Sequence, residues 1–229
     1  MLVLKSLIVV SQNTNVFFEN ADTFFKTYVG NGTVAYDKIH KDPSSLYEVL
    51  ELAKTITVSK TDKNTYQAFW INAYNLSVIK SVINNYPIKS PLSVNGFFDK
   101  TTHDIGGKSI TLNDIEHKLL RGQFKDARFH FVLVCGALGC PPLINEAYLP
   151  STLNNQLEMQ TKKAINGAFI QVNTKKKRVL VSQIMEWYKV DFTMNGMDEI
   201  DFINNYRTTK LEGKYKLSYF TYNWKLNKQ

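Results

Sequence analysis

The chain is poor in cysteine and proline and has no long apolar run. Two cysteines, Cys135 and Cys140, are all that occur in 229 residues, which excludes a disulfide-rich scaffold. No stretch approaches the roughly 18 apolar residues of a membrane-spanning helix. Four histidines and two cysteines give a metal centre few ligands, and the cysteines stand further apart than the close pair of a zinc site. No metal and no cofactor is therefore expected. A Gly-rich phosphate loop, a Gly-x-Ser-x-Gly elbow and a His-Glu-x-x-His motif are all missing, and Gly106-Gly107 suits a turn. Acidic residues are the minority, 20 against 28 basic ones, for a net charge of +8. Such a surface can attract nucleic acid or acidic polymers, but its charges are scattered. The one dense run, Lys175-Lys176-Lys177-Arg178, lies between two alternating apolar segments and reads as a solvated hairpin tip. The nucleic-acid signal is weak, and an acidic polymer at 175–178 is the partner this run suggests.

What is present is material for a core. Hydrophobic residues make up 44% of the chain and aromatic ones 13%, which suits one ordered domain packed with rings. No linker divides residues 16–229. Residues 2–10 are nearly all apolar, and polar sequence follows from Ser11 to Asn15. This resembles the apolar region of a secretory leader, although Lys5 interrupts it and no small-x-small cleavage site follows. On that reading residues 1–15 are a leader remnant and the protein is periplasmic or secreted. The alternative is a first element of the fold.

Apolar periodicity predicts helices over Val16–Val29, Pro43–Thr55 and Tyr66–Tyr86, the last apolar nearly all round in its first half. Its second half opens a polar stripe at Ser77, Lys80, Ser81 and Asn84. Residues 101–111 alternate around Gly106-Gly107 and read as a hairpin. Thr111–Gly122 reads as a short capped helix, and Arg128–Val134 as a central strand. Leu149–Ile165 is helical, 169–181 is a second hairpin, and two short helices follow from Ser182 and from Asp198 to Tyr206. The expected class is α+β, a predominantly helical single domain with a small sheet of two β-hairpins and one central strand.

Three segments place polar side chains in apolar surroundings. Asn72 and Asn75 lie on the buried half of the long helix, where an unpartnered amide costs about 1–3 kcal/mol. They either bond a neighbouring backbone or line a cleft as donors to a substrate. Glu116 falls on the apolar stripe of Leu112, Ile115 and Leu119, so it needs a partner or a raised pKa. His117 is rotated about 100° from it. The third segment, His130 to Pro142, ends in a turn with two glycines and a double proline. As a strand it would face His130 opposite to Cys135, so the base for that thiol would come from elsewhere, His117 included, unless the chain turns first. Cys135 is the candidate nucleophile and Cys140 a neighbouring binding residue, a packing residue or, in an exporting compartment, its disulfide partner. The plainer reading of Cys135 is a small buried core residue.

Phe69-Trp-Ile-Asn-Ala-Tyr-Asn75, Ile115-Glu-His117 and His130-Phe-Val-Leu-Val-Cys-Gly-Ala-Leu-Gly-Cys-Pro-Pro142 together resemble the family known as domain of unknown function 547. Tyr86-Pro87, the turn before Leu112-Asn-Asp-Ile-Glu116 and Tyr222-Asn-Trp-Lys-Leu-Asn227 add to the match, which is densest over 66–150. Where the family pattern tends to carry serine before the second cysteine, this chain has Gly139. The resemblance implies no established activity. Similar members look like exported bacterial proteins, which favours the leader reading.

Two functions compete. One is a cysteine-dependent hydrolase or acyl transferase, with Cys135 as nucleophile, Glu116, His117 or His130 as acid, base or orienter, and Asn72, Asn75 and Cys140 on the substrate. The other is a non-catalytic binding module of the cell envelope in which the same residues form a buried network.

Overall fold

The computed structural model describes the backbone of residues 2–229 and the side chains of 13–194 and 196–229. The side chains of the apolar run 2–10, read above as a leader, lie outside the described residues. Its backbone belongs to helix α1, Leu2–Tyr28, which runs through the polar stretch 11–15. Among the described residues no helix is long and apolar enough to cross a membrane.

Asn31 and Gly32, both at positive φ, turn the chain after α1 into a small hairpin of β1 (Val29–Gly30) and β2 (Thr33–Val34). Helices α2 (Tyr36–Lys41) and α3 (Ser44–Thr55) follow. Helix α4, Lys63–Asn84, starts where the Asp62 side chain accepts from the Thr65 N–H, an N-cap that satisfies one orphan donor. Its residues 66–79 are all buried, as the all-round apolar pattern requires. Phe69 meets Phe17 of α1 at 5.1 Å between ring centres. The hairpin of β3 (Thr102–Ile105) and β4 (Lys108–Thr111) docks its tip on α3. The N–H groups of Gly106 and Gly107 donate to the carbonyls of Ala53 and Lys54 at 2.9 and 2.8 Å. The tip thereby serves carbonyls that the end of α3 leaves open.

The helix expected over 111–122 begins as α5 (Leu112–Asp114), with Thr111 as its cap, and then widens into a π-helix over Ile115–Arg121 before α6 (Gly122–Phe124). The run 128–134 is not a strand. Ala127–Phe131 forms a 3-10 turn capped by Asp126, which accepts from the Arg128 N–H at 2.9 Å. The backbone beyond it pairs with a side chain: Asn75 donates to the Val132 carbonyl and accepts from the Val134 N–H, both at 2.9 Å. One amide thus replaces the strand partner that an apolar run of this length led us to expect.

Helix α7 (Leu153–Ile165) precedes the second hairpin, β5 (Ile170–Asn173) and β6 (Arg178–Ser182). Its third strand comes from the tail: β7, Lys216–Phe220, pairs parallel to β6. Between them lie α8 (Gln183–Trp187), α9 (Lys189–Phe192) and α10 (Glu199–Tyr206). The basic run 175–178 sits at the tip of this hairpin, where Lys177 donates to the Glu212 carbonyl. The class is α+β, with helices dominant and small sheets.

The apolar interior has two parts. Helices α1, α3 and α4 build one, while β5, β6 and α8–α10 build the other around Phe131, Phe192 and Phe202. The segment from Ala127 to Ile144 feeds both: Phe129, Val132, Leu133 and Val134 enter the first, Phe131 and Ala137 the second. The cysteine segment is therefore the seam between them.

Candidate functional site

A cavity of about 230 Å³ opens at this seam, and Glu116, His130, Cys135 and Cys140 all line it. The rest of its wall includes Tyr74 from α4, Tyr188 from the α8–α9 junction, and Tyr222. Trp187 and Trp224 stack at 6.0 Å beside Tyr222 and form an aromatic rim.

The two thiols are free and share one hydroxyl. Tyr222 Oη lies 3.0 Å from Cys135 Sγ and 2.9 Å from Cys140 Sγ. The Cys135 N–H points at Cys140 Sγ over 3.1 Å. Gly136, at positive φ, starts the bend that brings the second sulfur back onto the first. The surroundings divide the pair. Burial raises the Cys135 thiol well above its ordinary value, and its contact with Cys140 adds to this. Burial also opposes ionisation of Cys140, but the Cys135 thiol, the Tyr222 hydroxyl and the N–H groups of Ala137 and Cys135 outweigh it, so this thiol falls below its ordinary value. Donors aimed at a sulfur stabilise its anion. The surroundings favour ionisation of Cys140 over that of Cys135, whereas the sequence pointed to Cys135.

The tail of the chain holds this loop. Leu138 and Gly139 donate to the carbonyls of Lys225 and Asn223, both at 2.8 Å, and Asn227 donates to the Gly136 carbonyl at 3.0 Å. Gly139 is where the family pattern tends to carry serine. A Cβ there would stand 2.8 Å from two ring carbons of Tyr222, so glycine lets the ring approach the sulfurs.

His130 enters from the 3-10 turn. The strand geometry that separated it from Cys135 does not apply, and both line the cavity. Its Nε2 donates to Asp191 Oδ2 at 2.7 Å, and its ring stacks on Tyr188 at 4.1 Å. Arg121 Nε donates to the same carboxylate oxygen at 2.6 Å. Burial opposes ionisation of Asp191, yet these two donors hold its carboxyl at about 2. The carboxylate fixes the imidazole and leaves Nδ1 without a partner among the described residues, on a ring that faces the cavity.

Glu116 projects from the π-helix. The wider turn brings Ile115, Glu116, Leu119 and Leu120 all inside, and π-turns are frequent at functional sites. Burial, then the neighbouring Glu116, raise the hydroxyls of both Tyr74 and Tyr188 above their ordinary range. His117 points outward as its rotation implied, and Arg121 bonds its Nδ1. It lines no part of the cavity.

Asn72 and Asn75 do not line it either. Asn72 donates to the carbonyls of Ala68 and Tyr148 and accepts the Tyr148 N–H at 3.0 Å. Asn75 holds residues 132 and 134 as described. Both amides are used by backbone, which corrects their assignment as substrate donors and makes them positioning residues. Sequence reasoning missed Tyr222, Asp191, Arg121, Tyr188 and Tyr74. Tyr222 and Tyr74 had a signal, each in a motif that carries part of the family resemblance.

These features define a helix-rich α+β protein with a half-buried thiol pair at one cavity. Residues 58–165 match the sequence model of the family described as Protein of unknown function, DUF547. Over that segment the chain is similar to this family. The matched span holds Glu116, His130 and both cysteines and ends before Asp191 and Tyr222. No curated protein and no solved structure matches the chain.

Proposed function

We propose that the cavity is the site of a cysteine-dependent acyl-transfer reaction, hydrolytic when water is the acceptor. Cys140 supplies the nucleophile and His130 the proton relay. The observation that carries this reading is the asymmetry of the thiol pair: the Cys135 N–H and the Tyr222 hydroxyl both meet Cys140 Sγ, in the cavity that His130 lines with its orientation fixed by Asp191. A thiolate that is stabilised and reachable is the usual starting point of thiol catalysis.

In the first step Cys140 Sγ attacks an acyl carbonyl, forming an S–C bond. The leaving oxygen or nitrogen departs with the proton that His130 Nδ1 took from the Cys140 thiol. In the second step His130 Nδ1 takes a proton from the acceptor, which attacks the thioester and returns the thiol. Asp191 keeps the Nε2 proton in place and stabilises the imidazolium formed within each step, before His130 passes its proton to the leaving group or back to the Cys140 sulfur. Tyr222 stabilises the thiolate before attack. The aromatic rim of Trp187 and Trp224 favours acyl groups with an apolar portion.

A panel of activated esters and thioesters, quenched early and read by mass spectrometry, tests this. The expected result is an acyl adduct on Cys140 that is lost in Cys140→Ser, retained in Cys135→Ser and slow to clear in His130→Ala. An adduct confined to Cys135, or none with any ester, would leave the competing view: a structural polar network in a binding module.

A further inference from the structure

The polar stripe on the second half of α4 takes no part in the thiol cavity, and its two serines are not solvated. Ser77 is fully buried, Ser81 is 2% exposed and Lys80 is half-buried. Spacings of three and four residues put all three on one face of the helix. Strand β3 lays His103 across that face. This histidine is 4% exposed, and its Nε2 meets Ser81 Oγ at 3.4 Å. With α3, Ser77, Lys80 and His103 line a cavity of about 300 Å³ that shares no wall residue with the thiol cavity.

Two buried polar atoms here lack a partner among the described residues: Ser77 Oγ and His103 Nδ1. A buried polar group left unpaired is costly, so such atoms ask for a ligand or water. Lys80 makes no ion pair among the described residues, whereas Lys54 on the same cavity is paired with Glu51 at 3.3 Å. If the Ser81 hydroxyl donates to Nε2, the neutral ring carries its proton on Nδ1. The uncommitted groups are then all donors: an ammonium, a hydroxyl and a ring N–H.

We propose that this cavity binds a small oxyanion, a carboxylate or a phosphate, held by Lys80 Nζ, Ser77 Oγ and His103 Nδ1. The charges facing His103 are Lys80 from α4, Glu51 and Lys54 from α3, and Asp104 from its own strand. Glu51 and Lys54 offset each other, Asp104 is exposed, and the Tyr47 hydroxyl is spent on Asn84. Lys80 therefore dominates. Burial first, then Lys80, hold the imidazole at about 4. A bound anion would offset Lys80 and move the imidazole upward.

The test is an NMR titration of the four histidines in the intact chain, with His103 assigned by its absence in His103→Gln. It is run with acetate, with inorganic phosphate, and with chloride at matched ionic strength. Acetate or phosphate is expected to raise the His103 midpoint by about one pH unit, chloride is not, and His40, His117 and His130 stay in place. The more effective anion identifies the ligand as carboxylate or phosphate. Lys80→Met and Ser77→Ala should each weaken binding by about tenfold or more. A His103 midpoint indifferent to both anions would overturn the proposal, as would one that moves undiminished in Lys80→Met.

Discussion

At the scale of single residues, the site depends on who donates to whom. Cys135 and Cys140 have the same chemistry and nearly the same burial, yet donors converge on the second. Asp191 plays the corresponding part for His130, and its charge has a consequence for stability. Its carboxyl is depressed from 3.8 to about 2 in the folded protein. A depressed carboxyl stabilises the fold above its unfolded pKa, and that contribution is lost as pH falls through the folded one. The chain should therefore lose stability between about pH 4 and pH 2 through this residue, as read from urea midpoints. Asp191→Asn should flatten that part of the curve. An unchanged acid limb in the variant would show that the His130–Asp191–Arg121 contacts do not hold in solution.

At the scale of elements, the residues most legible in the sequence prove to be the ones that position others. Asn72 and Asn75 stood out because two amides on an apolar face demand partners. Nothing in their spacing says that the partner is the backbone of residues 132–148. The long helix, both hairpins and the capped helix at Thr111 were readable from period and turn residues. The central strand was not, because an unbroken apolar run fits a buried strand and a buried turn equally. Asp126 and Asn75, each outside the run, decide between them. The π-widening at 115–121 also escapes a helical template, although it leaves Glu116 on the inner face that its stripe implied. If Asn75 substitutes for a strand, Asn75→Ala leaves the Val132 carbonyl and the Val134 N–H unpaired. We expect a loss of about 2–4 kcal/mol in chemical denaturation. A loss below about 1 kcal/mol would mean that the segment finds other partners.

At the scale of the whole molecule, the site exists because two apolar clusters meet along one segment and the chain end closes over it. Glu116 comes from the middle of the chain, His130 and the thiols from the seam, Asp191 and Tyr188 from beyond the second hairpin, and Tyr222 from the tail. A sequence read locally shows each as an isolated polar residue; only the parallel return of β7 onto β6 carries Tyr222 to the sulfurs. On the proposed function this closure makes Cys140, and not Cys135, the activated thiol. The direct measurement is the alkylation rate of each cysteine against pH, resolved by peptide mass spectrometry, in the intact chain and in Tyr222→Phe. Cys140 should react first, with a midpoint below the ordinary thiol value of about 8.5, and Tyr222→Phe should move that midpoint up by about one unit. Cys135 reacting first, or a Cys140 midpoint at the ordinary value and indifferent to Tyr222, would contradict it.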